Sequence, residues 1–172
     1  MTQERTGIVT FQGAPLTLLG PELKVGDQAP PFTLVDNDLQ PVSLADSAGK
    51  VRLITVVPSL DTSVCDTMTR RFNQEAARLP DEVVTLTVSV DLPFAQKRWC
   101  GNAGIERIKT LSDYRDRAFG IAYGLLIKEI KLLARTALVI DRQGKIAYKE
   151  LVGEIVDQPD YQAALAAVKK LL

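Results

Sequence analysis

The stretch PSLDTSVCDTMTRRF, residues 58–72, places a thiol where an apolar run gives way to a helical pattern. That thiol, Cys65, and Cys100 in PFAQKRWCGNAG are the only two cysteines, and the chain has no histidine. Cysteine reacts as its thiolate. The spacing predicts Cys65 about one turn into a helix that follows a strand, where free backbone N–H groups face the sulfur. A helix end contributes ~0.3–1 kcal/mol to such an anion, and up to ~2 kcal/mol when partly buried. Moving a thiol from the ordinary ~8.5 to ~6 requires about 3.4 kcal/mol. A cation is therefore needed beside the helix end, and without histidine it must be lysine or arginine. Ionisation alone gains at most ~30-fold at neutral pH, so a fast enzyme also needs donors aimed at the charge that develops during attack.

Thr62 stands three residues before Cys65, on the same side of a helical turn. Its hydroxyl suits a plain N-cap, as would Asp61, or a donor to the sulfur or to an incoming oxygen. Both cysteines also admit an inert reading, since free cysteine is among the most buried residue types. Against that, Cys65 lies at a predicted helix start and Cys100 beside Gly101 at a predicted helix end, where local opening would bring two sulfurs together. A bridge between them would close a loop of roughly 35 residues and restrict the unfolded chain by roughly 4 kcal/mol in the entropic account. There is no C-x-x-C, so this is not a thioredoxin-type dithiol. The missing histidine excludes Ser–His and Cys–His hydrolase arrangements and leaves structural zinc without its usual ligands.

The elements that must hold these residues follow from the pattern. Residues 7–19 alternate around Gly13–Ala14–Pro15 and read as a β-hairpin. An irregular stretch, 20–31, leads to a short strand at 32–35. VRLITVV, 51–57, suits a central strand covered on both faces. Val64, Met68, Phe72, Ala76 and Leu79 make one helical stripe that Pro80 stops. A second buried strand spans 83–90, and Pro93 opens a helix that carries Trp99 and Cys100 to a break at Gly101–Asn102. A short strand at 108–111, a helical turn at 113–120, a hairpin of 134–141 with 146–152, and an amphipathic helix at 161–172 complete the chain. The order predicts a single α/β domain over residues 1–172, with early parallel crossovers and late antiparallel strands. Sites in such sheets lie where strands end and helices begin, which is where Cys65 falls.

Composition narrows the function classes. Apolar residues are 46% of the 172 and charged residues 24%, as in an ordinary globular protein. Lys plus Arg equals Asp plus Glu, 21 of each, which argues against a nucleic-acid binder. The N-terminus shows no secretory pattern and no run is long enough to span a bilayer, so no membrane role and a cytoplasmic location are the expectations.

PSLDTSVC matches the pattern P-x-x-x-T-x-x-C and, with FQG, GDQAPPFTLV, SVDLPFAQKRWCG, TLSDYRDRAFGIAYG, LLARTALVID and DYQAALAAVKKLL, resembles the peroxiredoxins over nearly the whole chain. The details look like the bacterial thiol peroxidases, an atypical two-cysteine branch. Ser63, where glycine is frequent in that branch, and the variable GLLIKEIKLLAR are the departures. The resemblance implies a thioredoxin-like fold, a mixed central sheet flanked by helices with an N-terminal β-hairpin. It implies that Cys65 is the peroxidatic cysteine and Cys100 the resolving one, joined within one chain. It implies that Thr62 and Arg135 orient the peroxide and that Pro58 shields the thiolate. Without it, Arg135 in a buried-looking run reads first as a structural ion pair, and Pro58 as a strand terminator. Expected partners are a hydroperoxide, alkyl hydroperoxides included, a thioredoxin-like reductant and a second copy in a homodimer, with no cofactor and no metal. A redox sensor switching through the same bridge, or a binding domain with incidental thiols, are the rival readings.

Overall fold

The computed structural model describes residues 1–172. The chain opens with two antiparallel strands, β1 (Glu4–Phe11) and β2 (Ala14–Leu19). Gln12 and Gly13 join them, both at positive φ (50° and 82°), the two-residue turn whose twist suits a hairpin. The turn falls one step earlier than Gly13–Ala14–Pro15 because Ala14 already pairs with Phe11. The register of β1 shifts between Thr6 and Val9, a bulge that Gly7 at φ 78° permits.

Next come β3 (Thr33–Val35), β4 (Pro41–Ser43) and a 3-10 turn over Leu44–Ser47. β5 (Val51–Val56) is buried at all six positions, as a strand covered on both faces must be. It is followed by α1 (Ser63–Ala76), β6 (Val83–Ser89), α2 (Pro93–Ala103) and β7 (Lys109–Ser112). The chain then forms α3 (Ala118–Ala122), β8 (Leu126–Ile127), β9 (Thr136–Ile140), β10 (Ile146–Leu151) and α4 (Tyr161–Lys169).

Seven strands make a mixed sheet in the order β10-β9-β5-β6-β7-β3-β4, while β8 joins the hairpin in a three-stranded sheet. β5, β6 and β7 are parallel and connect through α1 and α2, whereas β9 runs antiparallel beside β5. Alternate β5 residues face opposite layers. Leu53 packs with Met68, Phe72, Ala164 and Val168 under α1 and α4, and Cys65 belongs to this cluster. Ile54 packs on the other face with Leu86, Phe119 and Tyr123. No helix is long and apolar enough to cross a membrane.

Helix boundaries differ from expectation: α3 begins at Ala118 and not at 113, and α4 ends at Lys169 short of the C-terminus. α1 ends at Ala76 and does not reach Leu79, and the fully buried residue of its first turn is Cys65, with Val64 half-buried. α2 continues through Gly101 and Asn102 and stops at Gly104, whose left-handed φ of 66° lets its N–H cap the Cys100 carbonyl.

The hairpin is fastened to the far end of the main sheet. Glu154 accepts from the Thr10 hydroxyl (2.7 Å) and from the N–H groups of Gln12 (3.0 Å) and Gly13 (3.1 Å). Hydrogen bonds to these turn donors, the Thr10 hydroxyl foremost, hold the Glu154 carboxyl below its usual range. Val9, Leu16 and Leu18 pack with Ile127, Ala134 and Ile155 beneath that turn.

Candidate active site

The segment between β5 and α1 is shaped by one carboxylate. Asp91, just past the end of β6, accepts from the Ser59 hydroxyl (2.7 Å) and the Leu60 N–H (2.8 Å). The Ser89 hydroxyl donates to the same carboxylate at 2.7 Å. Parallel pairing of β5 with β6 delivers both strand ends to the same place, so a residue 31 positions away pins the loop. Pro58, buried, leads this loop, and Thr62 ends it.

Thr62 caps α1. Its hydroxyl oxygen accepts the Cys65 N–H at 3.3 Å and its hydrogen goes to the Ser59 carbonyl at 3.1 Å. In this arrangement the hydroxyl serves the backbone and makes no hydrogen bond to the sulfur. Such a cap is typically worth ~1 kcal/mol.

Arg135 reaches Cys65 because of strand register. Val56 pairs with Thr136, so the residue before β9 lies beside the residue that follows β5. Its side chain is 2% exposed. Nη2 donates to Cys65 Sγ at 3.3 Å, and Nη2 and Nε both donate to the Ile155 carbonyl at 2.9 and 3.1 Å. Nη1 lies 3.5 Å from Met68 Sδ. The structural ion pair expected for a buried arginine is not what the site contains: a backbone carbonyl and two sulfurs surround the guanidinium. A buried cation without a carboxylate is costly unless an anion faces it, and the sulfur is the group placed to supply that charge.

Cys65 itself is 0% exposed. An apolar hollow of about 310 Å³ approaches it, with Phe11, Ile130, Leu132 and Val156 along its walls. Pro58, Thr62 and Arg135 also line the hollow, the last of which touches the sulfur. Four of the five residues singled out from the sequence thus converge: Pro58, Thr62, Cys65 and Arg135. Cys100 does not join them. It lines a separate hollow of about 490 Å³ that includes Asp36, Asp38, Glu106, Arg107 and Lys109. Its Sγ lies 3.3 Å from the Thr110 hydroxyl on β7, and Thr110 in turn donates to Asn37 Oδ1 at 2.9 Å. Both thiols are free. No three His, Cys, Asp or Glu side chains converge as a metal site would require.

Asp91 and the Ile155 carbonyl were not picked out from the sequence. A signal for Asp91 existed: an acid at a strand end immediately before a proline-opened helix, opposite the loop that carries the thiol. Nothing in residue type marks a backbone carbonyl.

The Redoxin family profile matches residues 24–165. A thiol peroxidase of Halalkalibacterium halodurans is 60% identical over 164 residues, covering 95% of this chain and 98% of that one. A thiol peroxidase of Bacillus subtilis is 55% identical over 164 residues, with the same coverage of 95% and 98%. Among solved structures, a peroxiredoxin-like protein from Aquifex aeolicus superposes with a TM-score of 0.91 at 43% identity, covering 99% of each chain.

Proposed function

The chain belongs to the redoxin family, with thiol peroxidases as its relatives, and from that premise we propose that it is a thiol-dependent peroxidase working through Cys65 and Cys100. The observation that supports this most is the Arg135 Nη2 to Cys65 Sγ contact of 3.3 Å, with Arg135 lining an apolar hollow. Cys65 thiolate attacks the terminal oxygen of a hydroperoxide. The S–O bond forms, the O–O bond breaks, and the departing alkoxide or hydroxide takes a proton to leave as alcohol or water. Arg135 stabilises the developing charge, and the Thr62 hydroxyl does so by turning from the Ser59 carbonyl. Pro58, which has no N–H, closes one side of the hollow without adding a donor.

Cys65 is left as a sulfenic acid. The first turn of α1 opens, and Cys100 of the same chain attacks Cys65. An S–S bond forms and water leaves. A dithiol reductant of thioredoxin type restores both thiols through a mixed disulfide and is itself oxidised. The apolar walls suit alkyl hydroperoxides alongside hydrogen peroxide. One domain over residues 1–172 carries the whole cycle. Two free thiols fit the reducing cytoplasm. Leu92 and Phe94, 54% and 65% exposed at the start of α2, suit a homodimer contact. A sensor with the same bridge is not favoured beside relatives of this identity.

The test is peroxide consumption with thioredoxin, its reductase and NADPH. Repeated turnover is expected, none with Cys65→Ser, and a single oxidation without recycling for Cys100→Ser. Oxidation without turnover in the unaltered chain would favour the sensor. Mass spectrometry of the oxidised protein locates the bridge within one chain or between two.

A further inference from the structure

We infer that the hydrogen bond between Asp66 and Trp99 is a latch that sets how often Cys65 leaves its buried site to meet Cys100; the inference rests on the two-cysteine cycle proposed above. The two residues adjoin the two thiols, Asp66 following Cys65 and Trp99 preceding Cys100. Trp99 Nε1–H donates to Asp66 Oδ1 at 2.9 Å, and Arg70 Nε donates to Oδ2 at 2.8 Å. The Arg70 guanidinium lies 5.8 Å from the centre of the Trp99 ring. The only donor of the indole is used in this cluster.

Position decides its role. Asp66 belongs to the first turn of α1. For Cys65 to reach Cys100 it must leave Arg135 and the core beneath it, and that unwinds this turn. The Cys65 N–H leaves Thr62 Oγ1, the Asp66 N–H leaves the Thr62 carbonyl, now at 2.9 Å, and the Asp66 carboxylate is drawn off Trp99. Further along α1, Arg70 Nη1 donates to the Ala103 carbonyl (3.3 Å) and Asn73 Oδ1 accepts the Arg107 N–H (3.0 Å). Those bonds lie beyond the turn that opens, so they keep the end of α2 beside α1 while it does. Of the side-chain hydrogen bonds that tie α1 to α2 and the residues just after it, opening breaks one and leaves two to retain the partner.

The latch therefore divides two fates of the sulfenic acid. While it holds, a second hydroperoxide can transfer its oxygen to Cys65, giving sulfinic acid and alcohol. When it is released, Cys100 Sγ attacks Cys65 Sγ. The S–S bond forms, the S–O bond breaks, and the hydroxyl leaves as water with the Cys100 proton.

Trp99→Phe keeps the ring and removes the N–H, and Asp66→Ala removes the acceptor. Each is pulsed with hydrogen peroxide, quenched with acid and alkylated, and the Cys65 disulfide and sulfinic forms are counted by mass spectrometry. Each variant is expected to form the disulfide about three- to tenfold faster, with the sulfinic fraction lower by the same factor. Asp66→Asn, which keeps one oxygen for Trp99 but sets an N–H against Arg70, falls between the unaltered chain and Asp66→Ala, and the double variant Asp66→Ala/Trp99→Phe is no faster than either of those singles. A role in packing alone would lower stability without moving this partition. A partition within twofold of the unaltered chain in either single variant, or independent effects in the double, overturns the latch. An unaltered chain that forms no Cys65–Cys100 bridge overturns the two-cysteine cycle and the latch together, whereas a normal bridge with unmoved variants overturns the latch alone.

Discussion

Arg135 is held by the Ile155 carbonyl and by no acid, and that choice of anchor matters chemically. A carboxylate would neutralise the guanidinium, while a carbonyl fixes its plane and leaves its charge for the sulfur and the departing oxygen. Arg135→Met should slow the first oxidation of Cys65 by about 10²–10³-fold, as loss of a preorganised transition-state donor does. The deficit should persist at a pH where ordinary thiols are ionised, measured as the rate of sulfenic acid formation by stopped flow. Full recovery at high pH would mean that the arginine acts only on thiolate population. At this scale the sequence was legible in part. The need for a cation came from the helix-end energy and the lack of histidine. Which cation came from the resemblance, because the register that brings residue 135 beside residue 57 leaves no mark in either stretch. The Thr62 hydroxyl was open to two roles, and the geometry realises the cap, its oxygen accepting the Cys65 N–H and its hydrogen going to the Ser59 carbonyl.

Elements with their own strong pattern were readable, and those that depend on neighbours were not. β5 and β6 announce themselves as β-branched, mostly apolar runs, and α1 as a stripe. β4 has three residues and β8 two, too short for any period to register; they exist because β3 and β2 present edges to pair with. The break expected at Gly101–Asn102 failed because the left-handed position that ends α2 falls at Gly104. The hairpin was visible, but its attachment was not, since Glu154 is distant in sequence and ordinary in type. That attachment shapes the hollow, for Phe11 precedes the turn that Glu154 grips, and Ile155 and Val156 follow Glu154. Glu154→Gln weakens acceptance from the Thr10 hydroxyl and two backbone donors, so the Phe11 wall should loosen. The expected result is a KM raised about three- to tenfold for a bulky alkyl hydroperoxide and little changed for hydrogen peroxide, the size of effect that follows when a charged acceptor becomes a neutral one. Equal effects on both substrates would show that the hairpin does not shape the hollow.

Across the whole molecule, one buried acid joins the strand end of β7 to α3. Asp113, 5% exposed, accepts from the N–H groups of Phe119 (3.2 Å) and Gly120 (2.8 Å). Burial nonetheless raises its pKa above the ordinary value, the hydrogen bonds offsetting only part of the desolvation. The native state therefore holds this proton more tightly than the unfolded chain. Its contribution to stability is full below the ordinary aspartate pKa and is lost as pH rises through the folded-state value. Urea midpoints of the unaltered chain relative to Asp113→Asn should thus improve as pH is lowered from 7 towards 4, and the carboxyl carbon of Asp113 should titrate above the usual aspartate range by NMR. A flat difference would refute the assignment. The hollow lined by Arg135, which touches the Cys65 sulfur, and the hollow lined by Cys100, finally, share no lining residue, one greasy and one charged. Oxidant and reductant then need not queue at one doorway. A non-reactive tert-butyl compound lodged beside Phe11 and Ile130 should compete with hydroperoxide yet leave the reduction rate of pre-formed disulfide unchanged, so that its inhibition vanishes when the reductant is made limiting.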